Sequence, residues 1–378
     1  MDLINRLSEK VLTQWLFKGQ ALILTGARQV GKTTLLQNLF ADKKEMLWLN
    51  ADETIVRERL ENLNLENLKG VIGNYKVVVI DEIQRIPNAG LLLKLLVDNF
   101  KSTQIIATGS SALDISERIF EPLTGRHLLF HLYPFSLAEM YNGKSAFEVE
   151  QKLPFHLIYG CYPNIYNHQP DAEVLLKNLA NQYLYKDVLV WKDIRKPELL
   201  DKLLKLLAHQ ICSEVSINEL SNQLKVKSET VESYIDLLEK SFVIYRLNAY
   251  STNARKEVTK MSKIYFWDNG IRNAIIGNFN DFTTRQDKGQ LWENFIITDR
   301  IKMNKFRDAD IQSFFWRNYN QSEVDYIENN NQELFAYEIK WNSKNTSKIS
   351  KAFTNSYPNA TTEIITPHNF FDFCKLNE

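Results

Sequence analysis

The chain has 378 residues, 44% of them hydrophobic, and its 46 basic side chains balance 46 acidic ones to a formal net charge of zero. That length is enough for two or three domains with sizeable cores, and the charge balance excludes a global field directed at nucleic acid or a membrane surface. The three cysteines, Cys161, Cys212 and Cys374, are far apart and odd in number, which fits small buried side chains in a reducing compartment rather than a disulfide framework or a zinc site.

In chain order, Leu3, Ile4, Leu7, Val11, Leu12 and Trp15 recur at helical spacing and predict an amphipathic helix. Asp2, Asn5, Arg6 and Glu9 interrupt any signal-like apolar run at this end. The apolar run Ala21 to Thr25 then reads as a buried strand. It leads into Gly26-Ala27-Arg28-Gln29-Val30-Gly31-Lys32-Thr33-Thr34, which fits the phosphate-binding P-loop pattern. Leu35, Leu36 and Leu39 continue it as a helix. Strand, glycine loop and helix are the arrangement this chemistry needs. Glycines let backbone N–H groups turn inward around phosphates, and a helix N-terminus favours negative charge. Lys32 would neutralise the β- and γ-phosphates, and the Thr33 hydroxyl would sit on Mg2+.

A second strand is expected over 45–50 and a charged helical stretch over 52–68. Lys76-Val77-Val78-Val79-Ile80-Asp81-Glu82 reads as a strand buried on both faces of a parallel sheet. Its two terminal carboxylates lie where an open α/β sheet places its ligand. Asp81 is expected to hold Mg2+, a cation that prefers oxygen ligands and keeps part of its water shell. Glu82 is expected to orient or deprotonate the water that attacks the γ-phosphate. No Asn-Lys-x-Asp guanine signal follows, so ATP is favoured over GTP. Thr103 to Thr108 is the next strand. Ser110 is the first choice for a polar sensor of the γ-phosphate, with Thr108 and Ser111 as rivals. Arg126, just before the strand His127–His131, is a candidate arginine finger for a neighbouring subunit or for its own site. Tyr133 to Glu139 closes this region as a capped helix start.

Gly-Ala-Arg-Gln-Val-Gly-Lys-Thr-Thr-Leu, Ile-Asp-Glu-Ile-Gln, Thr-Gly-Ser-Ser, Leu-Thr-Gly-Arg and Tyr-Pro-Phe-Ser-Leu together resemble a family of prokaryotic AAA-type ATPases that carry a C-terminal domain of unknown function. The similarity runs from about Arg6 to Lys340. It implies an ATP-binding domain of the class with an additional strand between the P-loop strand and the Asp-Glu strand. Tyr159-Gly160-Cys161-Tyr162-Pro163 resembles that family's Gly-Gly-Tyr-Pro turn, with Cys161 in place of a glycine.

Helices are expected over 171–190 and 197–212. Ser216 to Leu224 opens as a capping box with Glu219. A turn at Val226-Lys227-Ser228, a helix over 229–241 and a strand over 242–247 complete a winged-helix pattern, which the resemblance supports. Val231, Tyr234, Ile235, Leu237 and Leu238 take the core face of the second helix. Glu229, Glu232, Ser233, Asp236 and Glu239 are left outside, and such carboxylates repel phosphates. A packing or partner-binding role is therefore favoured over DNA reading.

Further on, Lys263–Gly270 reads as a strand and turn, Glu293 lies in a helical run, and Asp325 and Glu338 lie on strands. Alternation points Glu338 and Lys340 to one face. Glu293, Asp325 and Glu338-x-Lys340 resemble the core of PD-(D/E)XK nucleases, whose carboxylates hold a divalent metal that activates water. The resemblance carries over the nuclease-like fold more readily than cleavage. In one reading the carboxylates hold metal, and in the other Lys340 neutralises them as a structural substitute. The latter is favoured.

The expectation is thus an α/β chain. A P-loop NTPase parallel sheet with helices on both faces (1–140) is followed by a helical connector (141–198), a winged helix (199–262) and a small α/β nuclease-like domain (263–378). The expected function is a Mg2+-dependent ATPase serving as a nucleotide-driven switch or regulator. The alternatives are an ATP-regulated nuclease and a DNA-binding regulator. A protein partner or self-association is expected and a membrane partner is not, because even Leu91 to Val97 is short and broken by Lys94. A cytoplasmic location follows as the default.

Overall fold

The computed structural model describes residues 4–41, 46–109, 122–183, 197–251, 262–307, 310–342 and 349–374. The chain divides into two compact units, Asn5–Tyr133 with Lys240–Phe242, and Pro134–Glu239 with Val243–Glu378 and Met1–Ile4.

The first unit is built on a five-stranded parallel sheet. Its strands are β1 (Ala21–Gly26), β2 (Met46–Asn50), β3 (Val77–Asp81), β4 (Gln104–Gly109) and β5 (His127–Leu132), in the spatial order β2-β3-β4-β1-β5. β4 therefore stands between the P-loop strand β1 and the Asp-Glu strand β3, where the resemblance implies an extra strand. β1 and β4 are buried along their whole length. That explains their apolar runs Ala21–Leu24 and Ile105–Ala107, since a central parallel strand has no solvent face to mark with polar residues. The helices are α1 (Leu7–Gln14), α2 (Lys32–Leu39), α3 (Thr54–Glu61), α4 (Leu65–Ile72) and α5 (Ala89–Asn99). Leu92, Leu93 and Leu96 of α5 pack with Leu68 and Ile72 of α4 against Ile23, Val78, Ile80 and Ile105 of the sheet. Each such side chain stabilises the fold by about 1.5–3 kcal/mol when fully buried.

In the second unit, α6 (Leu137–Met140), α7 (Ala146–Tyr159), α8 (Pro163–Asn167), α9 (Ala172–Tyr183) and α10 (Pro197–His209) come first. The remainder of the predicted 171–190 helix lies outside the described residues. Ser136 and Glu139 form a complete capping box on α6. β6 (Glu214–Val215), α11 (Ile217–Leu224), α12 (Ser228–Lys240), β7 (Ile244–Ala249) and β8 (Ser262–Phe266) follow. After them come α13 (Asn269–Ile276), α14 (Lys288–Phe306), β9 (Gln312–Arg317), β10 (Glu323–Asn330), β11 (Glu333–Ile339), α15 (Lys351–Ser356), β12 (Thr361–Ile365) and α16 (Phe370–Phe373). The strands form one seven-stranded sheet in the order β12-β11-β10-β9-β7-β8-β6.

Two expectations need revision. The boundary expected after residue 262 falls inside this sheet, because β7 pairs with β8 on one side and with β9 on the other. Hydrogen bonds therefore join the segments 199–262 and 263–378. The capping box expected at Ser216 is half formed. Ser216 Oγ accepts from Glu219 N, but the Glu219 carboxylate turns to Gln223 Nε2 at 3.1 Å.

Gly160 takes the left-handed position of the Tyr159–Pro163 turn (φ 72°), and a Cβ there would meet Asp268 Oδ1 at 2.0 Å. Cys161 keeps a negative φ, so the glycine it replaces is not required. All three cysteines are buried and free. No helix of the described residues is long and apolar enough to cross a membrane.

Candidate nucleotide site

The P-loop joins the end of β1 to the start of α2. Gly31 caps α2 with φ 96°, and Gln29 takes φ 60°, also left-handed. Gly26 has a different reason to be glycine. It pairs with Leu132 of β5, and a Cβ would fall 2.2 Å from the Leu132 carbonyl oxygen. From the preceding helix end, buried Arg6 donates to Val30 O at 2.7 Å and Tyr133 O at 2.6 Å. This anchor was not evident in the sequence, where Arg6 looks like a polar interruption of an amphipathic helix. Lys32 is buried and its ammonium donates to Gly26 O (2.8 Å) and Ala27 O (2.9 Å). Its charge is thus held within the loop itself. Thr33 and Thr34 are exposed at the start of α2.

The carboxyl end of β3 faces this loop. Thr33 Oγ1 lies 3.4 Å from Asp81 Oδ2, and Thr108 Oγ1 at the end of β4 donates to Asp81 Oδ1. Glu82 follows with φ 54°, a left-handed conformation uncommon for a residue with a side chain and a recurrent feature of functional sites. Gln84 Nε2 donates to Glu82 Oε2 at 2.5 Å. Burial pushes the Glu82 carboxyl above its ordinary range against the pull of Lys32, and Asp81 adds to the rise. Hydroxyl and carboxylate oxygens set beside a lysine-bearing loop are the hard donors that suit Mg2+. The residues therefore fit a magnesium nucleotide.

Two other expected site residues stand apart. Ser110 and its rival Ser111 lie outside the described residues. Arg126 precedes β5, and its carbonyl accepts from Ala21 N at the beginning of β1. In a parallel sheet that is the edge opposite the P-loop, with β1 and β5 paired from Ala21↔His127 to Gly26↔Leu132 between them. Its guanidinium pairs with Asp98 at 2.9 Å and holds that carboxyl below its usual range. A finger acting on its own P-loop is thereby corrected, because the side chain cannot span the length of β1.

The second predicted cluster is brought together within the second unit, with members the sequence did not reveal. Asp325 Oδ2 lies 3.6 Å from Lys340 Nζ, and Glu338 Oε1 lies 2.6 Å from the same ammonium. The bulge in β10 between Val324 and Ile327 brackets Asp325, whose Oδ2 also accepts from Ile339 N at 2.9 Å. Lys263 of β8 was missed. Its buried Nζ lies 3.5 Å from Glu293, 3.9 Å from Asp325, and in direct contact with Glu323. Tyr265 donates to Glu293 at 2.7 Å. Burial pushes the Glu293 carboxyl up to about 7 despite Lys263, with Asp325 adding to the rise. Burial, then Asp325, likewise raises Glu338, whose Oε2 is buried without a hydrogen-bond partner. Burial disfavours the Lys263 ammonium, but the carboxylates of Glu293, Asp325 and Glu323 outweigh it and hold its proton on. Among the described residues no group of three or more His, Cys, Asp or Glu side chains is disposed to hold a metal ion.

With this geometry in view, residues 18–141 match the family model of the AAA domain, and residues 288–370 match a domain of unknown function (DUF4143). Residues 150–281 match a further domain of unknown function (DUF8612). The chain thus carries an AAA-type P-loop domain followed by two domains without an assigned role.

Its relatives are uncharacterised proteins. One from Methanocaldococcus jannaschii is 25% identical over 88% of this chain and 77% of its own. One from Haemophilus influenzae is 23% identical over 86% and 85%, and one from Mycobacterium tuberculosis 26% over 91% and 75%. Among solved structures, a Walker-type ATPase of Pyrococcus abyssi aligns with 72% of this chain and 96% of its own, at 16% identity and a TM-score of 0.47. AMPPCP-bound DnaA from Aquifex aeolicus aligns over 61% and 85%, at 15% identity and a TM-score of 0.29.

Proposed function

We propose that the first unit binds ATP with Mg2+ and hydrolyses it, and that the chain works as a nucleotide-driven switch. The observation that carries this reading is the Asp81 carboxylate held between the Thr33 and Thr108 hydroxyls beside the Lys32-bearing loop. In this reading Lys32 exchanges its loop carbonyls for the β- and γ-phosphates, and the backbone N–H groups of 26–34 cradle them. Thr33 and Asp81 would hold Mg2+, which supplies charge neutralisation to the phosphates when bound. Glu82 orients the attacking water and accepts its proton. Burial, with Asp81 adding to it, makes this carboxylate hold a proton more firmly than an exposed glutamate would, which favours proton acceptance.

The segment 199–262 is read as a winged helix that packs or binds a protein partner. Asp236 and Glu239 of α12 are both engaged by Arg246 of β7. Glu229 and Glu232 still leave the outer face acidic, which supports the partner-binding reading over DNA. Arg126 is read as a finger only in trans, for another copy of the chain.

The test is ATP binding and phosphate release by the full chain and by Lys32→Ala and Glu82→Gln. Wild-type hydrolysis that Lys32→Ala abolishes supports the proposal. Wild type that binds no ATP in the presence of Mg2+ overturns it.

A further inference from the structure

We infer that Lys263 is the resident cation of the Glu293–Glu323–Asp325 cluster, and that its ammonium takes the place a divalent metal would need among those carboxylates. The inference is independent of the ATPase reading. The nuclease-like pattern of Asp325, Glu338 and Lys340 implies a metal at this point, so the question is whether the residues present fit one.

They do not, for three reasons. First, Lys263 is buried, with its Nζ among carboxylates from α14 and β10 at 3.5 Å (Glu293) and 3.9 Å (Asp325) and in direct contact with Glu323. Its ammonium also lies 5.4 Å from the centre of the Phe315 ring, an apolar face that favours a cation and offers no ligand. Second, Asp325 and Glu338 are already engaged by Lys340 and, for Asp325, by the amide of Ile339. Third, Mg2+ demands several oxygens at about 2.0–2.1 Å in near-octahedral array. An ammonium in contact with the same carboxylates competes for those oxygens and repels a second cation. Lys340, which the sequence pattern points to, serves the outer pair. Lys263, which no motif marks, fills the inner position. Removing a buried charge's partner leaves carboxylates uncompensated, so a chain lacking Lys263 should recruit an external cation.

The experiment is Mn2+ titration of the nucleotide-free full chain, following the electron paramagnetic resonance of free Mn2+. Wild type and Asp325→Asn are expected to take up equal amounts, because any uptake by the first unit is common to both. Lys263→Met is expected to bind one further Mn2+ per chain, at least tenfold tighter than any site in wild type. The additional substitution Asp325→Asn should abolish this gain, and Lys263→Arg should behave as wild type. Wild type binding one more ion than Asp325→Asn would overturn the inference, as would a folded Lys263→Met that gains none. If Lys263→Met fails to fold, the comparison of wild type with Asp325→Asn decides alone.

Discussion

Thr33 and Asp81 lie 48 positions apart in the chain, yet their side-chain oxygens stand 3.4 Å apart, one at the first turn of a helix and the other at the end of a strand. Two hard oxygens so placed beside Lys32 lead to the first prediction. Glu82→Gln should bind ATP as wild type does but release phosphate at least about 10²-fold more slowly, the usual loss with a general base. Lys32→Ala should lose tight binding altogether. The Glu82 carboxyl is held above its ordinary range. Wild-type hydrolysis should therefore fall on acidification at a higher pH than an ordinary glutamate would give. Equilibrium nucleotide binding and phosphate release, measured side by side across pH, check all three outcomes.

Gly26→Ala places a methyl group 2.2 Å from the backbone oxygen of Leu132. Neither strand can yield cheaply, since both are hydrogen-bonded in the sheet. The variant should lose about 1–3 kcal/mol of stability and bind ATP weakly. Chemical denaturation and nucleotide titration of the same preparation read the two effects.

His156 is fully buried, with Tyr141 OH 2.6 Å from Nε2 and the Gly160 carbonyl 3.2 Å from Nδ1. Burial pulls its pKa from 6.5 down to about 4. Between those values the unfolded chain binds more protons than the folded one. Stability is then fully present above about pH 6.5 and falls as the pH drops towards 4, by roughly 3 kcal/mol over the window. His156→Leu should be less stable at neutral pH but should lose this slope. Unfolding by urea at a series of pH values checks the sign.

Glu328 is buried and receives both Arg300 Nε (2.8 Å) and Arg300 Nη2 (2.7 Å), with Asn304 Nδ2 at 2.5 Å. Glu328→Ala strands the guanidinium in a dry interior, a cost of about 3–5 kcal/mol. A drop in the midpoint of thermal unfolding well beyond that of an exposed control such as Glu173→Ala is expected.

Arg126, remote from its own P-loop, gives a mixing prediction. If it serves another copy, Arg126→Ala and Lys32→Ala chains should each be inactive alone and recover part of the hydrolysis when mixed. Mixtures shown to contain both chains in one oligomer, yet without recovery, would remove Arg126 from the catalytic set.

The strands at the heart of the first unit were legible because full burial erases alternation and leaves runs such as Val77–Ile80 unbroken. The P-loop was legible because few residues tolerate the conformation at Gly31 or the closeness at Gly26. The edge occupied by Arg126 was also readable, since a residue that precedes a parallel strand lies opposite one that follows its neighbour. Lys263 was not readable. Ser-Lys-Ile-Tyr-Phe looks like any half-buried strand, and the partners that define the lysine come from Glu293, Glu323 and Asp325 far along the chain. Arg6 was hidden in the same way, since its acceptors are backbone carbonyls, which carry no sequence signature.

β7 runs antiparallel to β8 on one side and parallel to β9 on the other. Family models divide the chain between 281 and 288, but the sheet ignores that division. A chain broken between Ala249 and Ser262 would give one fragment ending in a strand whose two neighbours both belong to the other fragment. The second unit should not form from either piece alone, and it should reassemble when the two are produced together, as split reporters do. Evolution faces the same constraint: these segments can be shuffled into a new protein only as a single inheritance.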